Sequence, residues 1–320
     1  MKKQISIIVP MYNACDYIES CLLAISKQTA KDFEVILLDD CSTDNTIQKA
    51  ERFPFKIVRL QERARPAKAK NYGAKLSCGD ILIFFDADIV LLPDSIEKII
   101  SRISEPDTDA ISGIYTEDIP QANFFSQLQN LLFVYRYSKL PKFTTFTFSS
   151  FCAIKRNAFE AAGGYDEKMY FYEDVELGHR LNKKGYKCRL DVDLKVTHLK
   201  HFDHFSLLRD YFKKATVAGA YYRRASFKEL LRDNGLPLDM KMAGVSSALI
   251  LLSAGLAKIS LIPLLASLSI YSASMIPLLF FLIKTRNLYF GLKSYVTCFE
   301  IFLASQCGLC YGVLRGDKNR

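Results

Sequence analysis

The stretch ILIFFDAD, residues 81–88, is the part of the sequence that decides the fold. Five apolar residues in a row are followed at once by an Asp-Ala-Asp triplet. A short apolar run of this kind is typical of a strand buried on both faces. In a parallel sheet covered by helices, ligands bind beyond the carboxyl ends of the strands. We therefore expect Asp86 and Asp88 to lie at a ligand site.

Apolar runs alternate with segments of helical periodicity through the first 103 residues. Besides 81–85, strands are predicted at 5–9, 33–38 and 56–60. Helices are predicted at 14–29, 66–76 and 93–103, and a further helix is expected to follow a cap at Ser42 or Thr43. This alternation predicts an α/β fold, a mostly parallel sheet flanked by helices. The second strand ends on Asp39 and Asp40, so two of the four predicted strand ends carry paired acids.

The next hundred residues complete the predicted first domain, residues 1–202. Residues 105–145 are predicted to form a loop-and-helix lid over the sheet edge. After it we expect a strand at 147–154, a helix at 156–162 ended by Gly163 and Gly164, a helix at 173–184, and one or two strands within 187–198.

The C-terminal part has a different composition. Residues 203–240 alternate basic with aromatic or apolar groups, which predicts amphipathic interfacial helices. Residues 241–320 are predicted to form a membrane region, with a helical hairpin at about 243–283 that is broken near 258–263. A last apolar segment, about 290–314, is interpreted as an interfacial or re-entrant helix, because a third span would place Arg315, Lys318 and Arg320 outside.

Charge and cysteine content limit the possible partners. The net charge is +9, of which +6 falls after residue 240, and a basic excess beside apolar helices indicates an anionic membrane surface rather than nucleic acid. Nine cysteines without framework spacing indicate a reducing compartment. The apolar run at 5–9 is too short for a signal peptide, so we expect the N-terminal domain to lie on the cytoplasmic side of the cell membrane.

The Asp86-Ala87-Asp88 triplet predicts a metal site. Carboxylate oxygens suit Mg²⁺ and Mn²⁺, and either ion can bridge a diphosphate; the alternative is a pair of solvated loop acids. His198 follows an apolar segment and is a third candidate ligand, because it could reach an ion held by Asp88. His201 and His204 are interpreted as packing or interface groups.

Two further acid pairs are candidates for binding and catalysis. Asp39 or Asp40 could accept the imide N–H of a uracil or the N–H groups of a guanine; the alternative is helix capping. Glu173 and Asp174 open a predicted helix after three aromatic residues, whose proximity would raise the pKa of a carboxyl group toward that of a general base. The alternative there is an ordinary acidic first turn.

Together these motifs resemble family-2 glycosyltransferases of the GT-A fold, over about residues 4–200. The resemblance rests on ISIIVPMYN at 5–13, DDCSTD at 39–44, PAKAKNYG at 66–73, DAD at 86–88, GGYDE at 163–167 and ED at 173–174, in the family's order. It implies an inverting transferase that uses a nucleotide-diphospho-sugar, with UDP as the expected nucleotide, and Mn²⁺ or Mg²⁺.

The resemblance also implies roles for single residues. Pro10 and Tyr12 correspond to contacts to the base, Asp39 or Asp40 to the acid that reads the base, and Lys70 to a group near the base or phosphates. Asp86 corresponds to the acid facing the ribose or sugar, Asp88 to the metal ligand, Asp174 to the catalytic base with Glu173 beside it, and Gly163 and Gly164 to backbone that approaches the donor sugar.

Two departures from the family pattern concern the donor pocket. Cys41 stands where the family usually has glycine, and Lys70 where it usually has arginine, which loses a bidentate fork. The Gln-x-x-Arg-Trp motif of processive synthases is missing, and the chain has no Trp. We therefore expect transfer of one sugar at a time.

The function hypothesised from the sequence is transfer of a sugar to a hydroxyl of a lipid-linked glycan or glycolipid. One alternative is transfer to a polyprenyl phosphate, an acceptor that is already ionised and needs no base. A non-enzymatic alternative is a membrane scaffold with the same fold and no catalysis.

Overall fold

The computed structural model describes residues 4–148, 150–169, 171–223, 236–255 and 260–315. The chain divides into two compact units. The first comprises Met1–Pro120 and Pro141–Lys200, and the second comprises Gln121–Leu140 and His201–Arg320.

The first unit is built on one mixed sheet. Its strands are β1 (Ile5–Met11), β2 (Phe33–Asp39), β3 (Lys56–Arg59), β4 (Ile81–Phe85), β5 (Ile89–Leu91), β6 (Ala110–Tyr115), β7 (Phe143–Thr144), β8 (Phe151–Lys155) and β9 (Cys188–His198). The order across the sheet is β3-β2-β1-β4-β8-β6-β9-β5, with β7 on β9. Strands β1 to β4 are mutually parallel, and β8 runs antiparallel to both of its neighbours.

Helices cover this sheet and close its core. They are α1 (Ile18–Ser26), α2 (Thr46–Ala50), α3 (Arg65–Leu76), α4 (Ser95–Ile103), α6 (Arg156–Ala162) and α7 (Glu173–Lys183). Ile8 of β1, Leu38 of β2 and Phe84 of β4 are fully buried in one cluster with residues of α3, α6 and α7. Gly73 lets α3 lie directly on the strands, because a Cβ there would be 2.5 Å from Ile8 Cγ2.

The four predicted N-terminal strands and the α/β class are confirmed, whereas three local predictions are wrong. The segment 105–145 is not a lid over the sheet edge: β6 lies inside the sheet between β8 and β9, and residues 121–140 belong to the second unit. The helix expected after a cap at Ser42 or Thr43 begins at Thr46, following Asn45. Strand β5, only three residues long, was not predicted.

The second unit is helical within its described residues. It contains α5 (Phe124–Ser138), α8 (His204–Tyr222), α9 (Leu238–Gly255), α10 (Ile262–Thr285) and α11 (Leu288–Arg315). Buried apolar side chains from all five helices form one cluster. Helices α9, α10 and α11 are each long and apolar enough to cross a membrane.

The predicted hairpin corresponds to α9 and α10, although its break falls partly on residues 256–259, which lie outside the described residues. The amphipathic segment appears as α8, and its continuation through 224–235 also lies outside them. The last apolar segment is one continuous helix of 28 residues, and its interfacial or re-entrant placement stays a prediction.

Gly178 provides a test of the packing in the first unit. A Cβ at this position would lie 2.2 Å from Phe146 Cα and 2.5 Å from Thr147 N, both backbone atoms. We expect Gly178→Ala to lower the unfolding free energy by about 1–3 kcal/mol, because α7 must move away from this loop. Thermal unfolding of the full chain in detergent measures the effect, with exposed Lys183→Ala as the control. Equal melting temperatures for the two variants would contradict the close approach.

Candidate active site

The carboxyl ends of β2, β1 and β4 meet at one edge of the sheet. The three strands are adjacent and parallel, with Ile8 paired to both Ile36 and Phe84. Asp39 ends β2, and Asp86 directly follows β4. The topology therefore brings the acid pairs at 39–40 and 86–88 to the same edge, as the sequence predicts.

The two acids at the end of β2 have different surroundings. The buried Asp40 carboxylate accepts hydrogen bonds from the backbone N–H groups of Ala64 and Arg65 and from Arg63 Nε, the last at 3.1 Å. Asp40 therefore holds the turn that starts α3. Asp39 is also buried, and its two carboxylate oxygens lie 3.3 and 3.4 Å from the Ser42 N–H. These are weak contacts, so Asp39 retains more capacity to accept hydrogen bonds from a ligand.

Tyr12 follows β1 and is 44% exposed at this edge, beside the half-buried Pro10. The Arg63 guanidinium lies over its ring, with Cζ 3.3 Å from the ring centroid. Because Arg63 also contacts Asp40, it joins the exposed ring to the buried acid. Sequence reasoning missed Arg63, which lies in a loop with no motif around it.

Cys41 completes this corner. Its φ of +64° lies in the left-handed region that favours glycine. This backbone conformation explains why a glycine suits the position, and the thiol is placed 3.4 Å from the Leu60 carbonyl oxygen.

Lys70 lies at the centre of the charged groups of the site. It projects from α3, is fully buried, and its Nζ is 3.2 Å from Asp86 Oδ1. Burial alone would lower the pKa of Lys70, but Asp86, Glu173 and Asp174 raise it above its ordinary value. Lysine therefore keeps its positive charge where the family usually has arginine.

Glu173 and Asp174 begin α7, after Tyr172 in the left-handed region with φ of +72°. Glu173 is buried, and its burial together with the Asp174 charge raises its pKa from 4.5 to about 7. Asp174 Oδ1 accepts a hydrogen bond from the Val175 N–H at 2.8 Å. The structure thus brings both residues, Lys70 and Asp86 into one electrostatic cluster, in which the pKa of Glu173 is raised.

Asp88 and His198 come together because β5 pairs with the end of β9, with Ile89 opposite His198. His198 Nε2 lies 3.5 Å from Asp88 Oδ2, and the ring stacks on Tyr115 with centroids 4.6 Å apart. Burial alone would raise the pKa of Asp88, but His198 and Lys200 hold it below its ordinary value. Asp88 is therefore an ionised carboxylate.

The donor set fits a divalent cation supplied together with a ligand. Asp88 Oδ1 is buried and has no hydrogen-bond partner within the described residues, which is costly unless something binds there. The described part of the chain holds no group of three or more His, Cys, Asp or Glu residues arranged around an ion. Among the three predicted ligands, Asp88 and His198 lie together, whereas Asp86 is paired with Lys70.

The remaining predicted residues form one wall of the same unit. Gly163 and Gly164 have φ of +84° and +71° and end α6. Asn71 fixes this turn by accepting the Tyr165 N–H at 2.8 Å and donating to its carbonyl oxygen at 2.9 Å. Tyr165 Oη is buried without a partner within the described residues, and Lys70 Nζ lies 5.8 Å from the ring centroid. Of the other histidines, His204 belongs to the second unit and pairs there with Glu300.

Comparison with known proteins agrees with this geometry. Residues 6–163 match the family described as Glycosyl transferase family 2, and this part of the chain is a domain of that family. The glycosyltransferase GlyG of Streptococcus pneumoniae is 31% identical over 131 residues, 39% of this chain. The match covers only 44% of GlyG, so this chain spans less than half the length of that relative.

Two solved structures share the GT-A fold. The mannosyltransferase PcManGT from Pyrobaculum calidifontis, solved with GDP-Man and Mn²⁺, is 19% identical, with 96% of this chain and 87% of that chain covered and a TM-score of 0.59. TarS residues 1–349 from S. aureus, solved with UDP-GlcNAc, is 20% identical, with 72% and 69% covered and a TM-score of 0.51. At these identities the likeness shows the fold.

The raised pKa of Glu173 predicts a pH-dependent stability. A carboxyl group whose pKa rises on folding stabilises the folded state below its unfolded pKa, near 4.5, and this contribution is lost as the pH rises to about 7. Glu173→Gln should therefore raise the melting temperature at pH 8 and have little effect at pH 5. Melting curves at both pH values check this, with exposed Glu62→Gln as the control. A pH-independent difference would contradict the buried, neutral Glu173.

Proposed function

We propose that the protein is an inverting, metal-dependent, non-processive glycosyltransferase. It moves one sugar from a nucleotide-diphospho-sugar to a hydroxyl of a lipid-linked glycan or glycolipid at the cytoplasmic membrane face. The observation that carries this proposal is the ionised Asp88 carboxylate, which has a buried oxygen without a partner and lies beside His198 at the edge where β4 ends.

Asp88, with His198 and Asp86, would hold Mn²⁺ or Mg²⁺. The ion supplies neutralisation of the negative charge that develops on the departing diphosphate. The nucleotide then lies toward β1 and β2, where Tyr12 offers an exposed ring and Asp39 an acceptor for a base N–H. We expect UDP; PcManGT was solved with GDP-Man and TarS with UDP-GlcNAc, so the fold alone does not select the base.

In this proposal Asp174 removes the proton of the acceptor hydroxyl as it attacks the anomeric carbon. Attack from the face opposite the leaving diphosphate inverts the configuration. Lys70 fixes Asp86, and the turn at Gly163 and Gly164 brings backbone close to the donor sugar. Glu173, whose pKa is raised by burial and by the Asp174 charge, lies beside Asp174.

The second unit supports a membrane-bound acceptor. Its three candidate spans would keep the enzyme where lipid-linked glycans are found. Lys241 precedes the apolar stretch and Lys284 and Arg286 follow it, which favours both flanks on the cytoplasmic side.

Substitution of the metal ligand and of the base separates the possible functions. We expect Asp88→Ala to abolish Mn²⁺-dependent donor binding and sugar transfer. Asp174→Asn should bind donor normally and transfer about 100-fold or more slowly, because a positioned base contributes about 10²–10⁴. Transfer in membranes and equilibrium binding of UDP-sugars with and without Mn²⁺ measure this, with exposed Asp32→Asn as the control.

Other results of these experiments would indicate a different mechanism or function. Near-normal transfer in both variants would overturn the mechanism. Loss in Asp88→Ala with full activity in Asp174→Asn would indicate a polyprenyl phosphate acceptor. Donor binding without turnover in the unaltered protein would indicate the non-catalytic scaffold.

Arg63 should contribute to donor binding. A guanidinium that stacks on Tyr12 can also stack on a base or contact a phosphate, and such interactions contribute about 0.5–2 kcal/mol. We expect Arg63→Ala to weaken UDP binding by about 3- to 30-fold and to raise the donor KM with little change in kcat. Calorimetry and kinetics test this, with Arg52→Ala, an exposed arginine paired with Glu19, as the control. Unchanged affinity would exclude Arg63 from the donor site.

A further inference from the structure

Helices α8 and α11 of the second unit touch backbone to backbone. A Cβ at Gly308 would lie 2.3 Å from the Phe212 carbonyl oxygen, and one at Gly312 would lie 1.9 Å from that of Thr216. Nearer their start, His204 Nε2 lies 2.7 Å from Glu300 Oε2. The contacts advance together along both helices, so α8 and α11 run parallel from Glu300 to Gly312.

Helix α8 carries charge along this contact. Arg209, Asp210, Lys213 and Lys214 occupy two successive turns. Asp210 and Lys214 form an ion pair at 2.7 Å, whereas Arg209 and Lys213 are exposed. Charged side chains at the centre of a bilayer are strongly disfavoured. If α11 crossed the membrane, α8 would have to enter beside it and would carry Arg209 and Lys213 into the hydrocarbon.

Charged residues in α11 lie so close together in sequence that no uncharged stretch between them is long enough to cross a bilayer. Lys293 is exposed, Glu300 pairs with His204, and Arg315 ends the helix. The longest uncharged run in it, residues 301–314, is well short of the about 20 residues that a crossing needs. By contrast, residues 243–283 contain one charged residue, Lys258, which lies in sequence between α9 and α10.

The outer face of α11 is nevertheless apolar. Leu288, Leu292, Val296 and Leu314 are exposed, whereas Ser294, Ile301, Gly308 and Gly312 face the rest of the unit. One side of the helix thus suits contact with acyl chains, while charged groups lie along α8. This combination is typical of a helix that lies in the membrane interface.

We infer that α8 and α11 lie as a pair in the interface of an anionic membrane and that only α9 and α10 cross it. Two crossings return the chain to the side on which it started. The C-terminal end of α11, with Arg315, then lies on the same side as the N-terminal domain, as the positive-inside tendency requires. Exposed Arg209 and Lys213 can contact lipid phosphates there.

Topology mapping in bacterial cells tests this inference. The full chain carries, in separate fusions, green fluorescent protein or alkaline phosphatase after its last residue, and each reporter is also placed at the N-terminus as the reference. We expect the same compartment for both ends: fluorescent, phosphatase-inactive fusions. Opposite compartments would mean three crossings and would overturn the inference.

Cysteine labelling gives an independent measurement if a fusion disturbs insertion. In a background with the exposed Cys78, Cys307 and Cys310 replaced by serine, Ser260→Cys should react with a membrane-impermeant maleimide in intact cells. Arg315→Cys, at the exposed polar end of α11, should react only after permeabilisation. Labelling of Arg315→Cys in intact cells would contradict the interfacial pair. Because neither readout uses sugar transfer, the outcome is separate from that of the proposed activity.

Discussion

The ion pair between the buried Lys70 and the half-exposed Asp86 is the interaction on which the site depends. It joins α3 to the end of β4 and places a positive charge against Glu173 and Asp174 at the start of α7. Removing Asp86 would leave the buried Lys70 charge without its nearest partner, which is destabilising. Gly73, one turn further along α3, allows this arrangement by letting the helix contact β1 and β2 directly. The position of α3 therefore determines both the packing of the helix on the sheet and the placement of the Lys70 charge in the site.

The strands and the acids at their ends could be predicted, because both depend on the local sequence pattern. The runs at 5–9, 33–38 and 81–85 are strands because they are continuous and apolar, and parallel order alone brings Asp39, Asp86 and Asp88 to one edge. The features that were not predicted depend on contacts between residues that are distant in sequence. Strand β6 is as apolar as its neighbours, but it pairs with β8, where Ala110 lies opposite Ile154, a residue 44 positions later in the chain. No local pattern encodes this pairing. Arg63 acquires a role only because Asp40 and Tyr12 happen to face it.

Prediction of the membrane part is limited in the same way, because it also depends on contacts between residues that are distant in sequence. Hydropathy identifies three helices that could cross, because it scores each helix alone. The charges that count against α11 are carried mostly by α8, nearly a hundred residues away in sequence, and they become relevant through close approach at Gly308 and Gly312. The positive-inside tendency pointed to the same arrangement from composition alone. Helix partners, rather than helix hydropathy, decide which segment can enter the hydrocarbon.

The charge balance of the site also explains why the proposed reaction requires a cation. Asp39, Asp86, Asp88 and Asp174 are acids at or near one edge of the sheet, and Lys70 is buried against Asp86. A diphosphate brought to this edge would meet a net negative field, which disfavours binding. A divalent ion held at Asp88 would reverse the local sign and give the buried Oδ1 a partner. Burial is the first cause of the raised pKa of Glu173, and the Asp174 charge adds to it, so in its neutral form Glu173 adds no further negative charge to this edge.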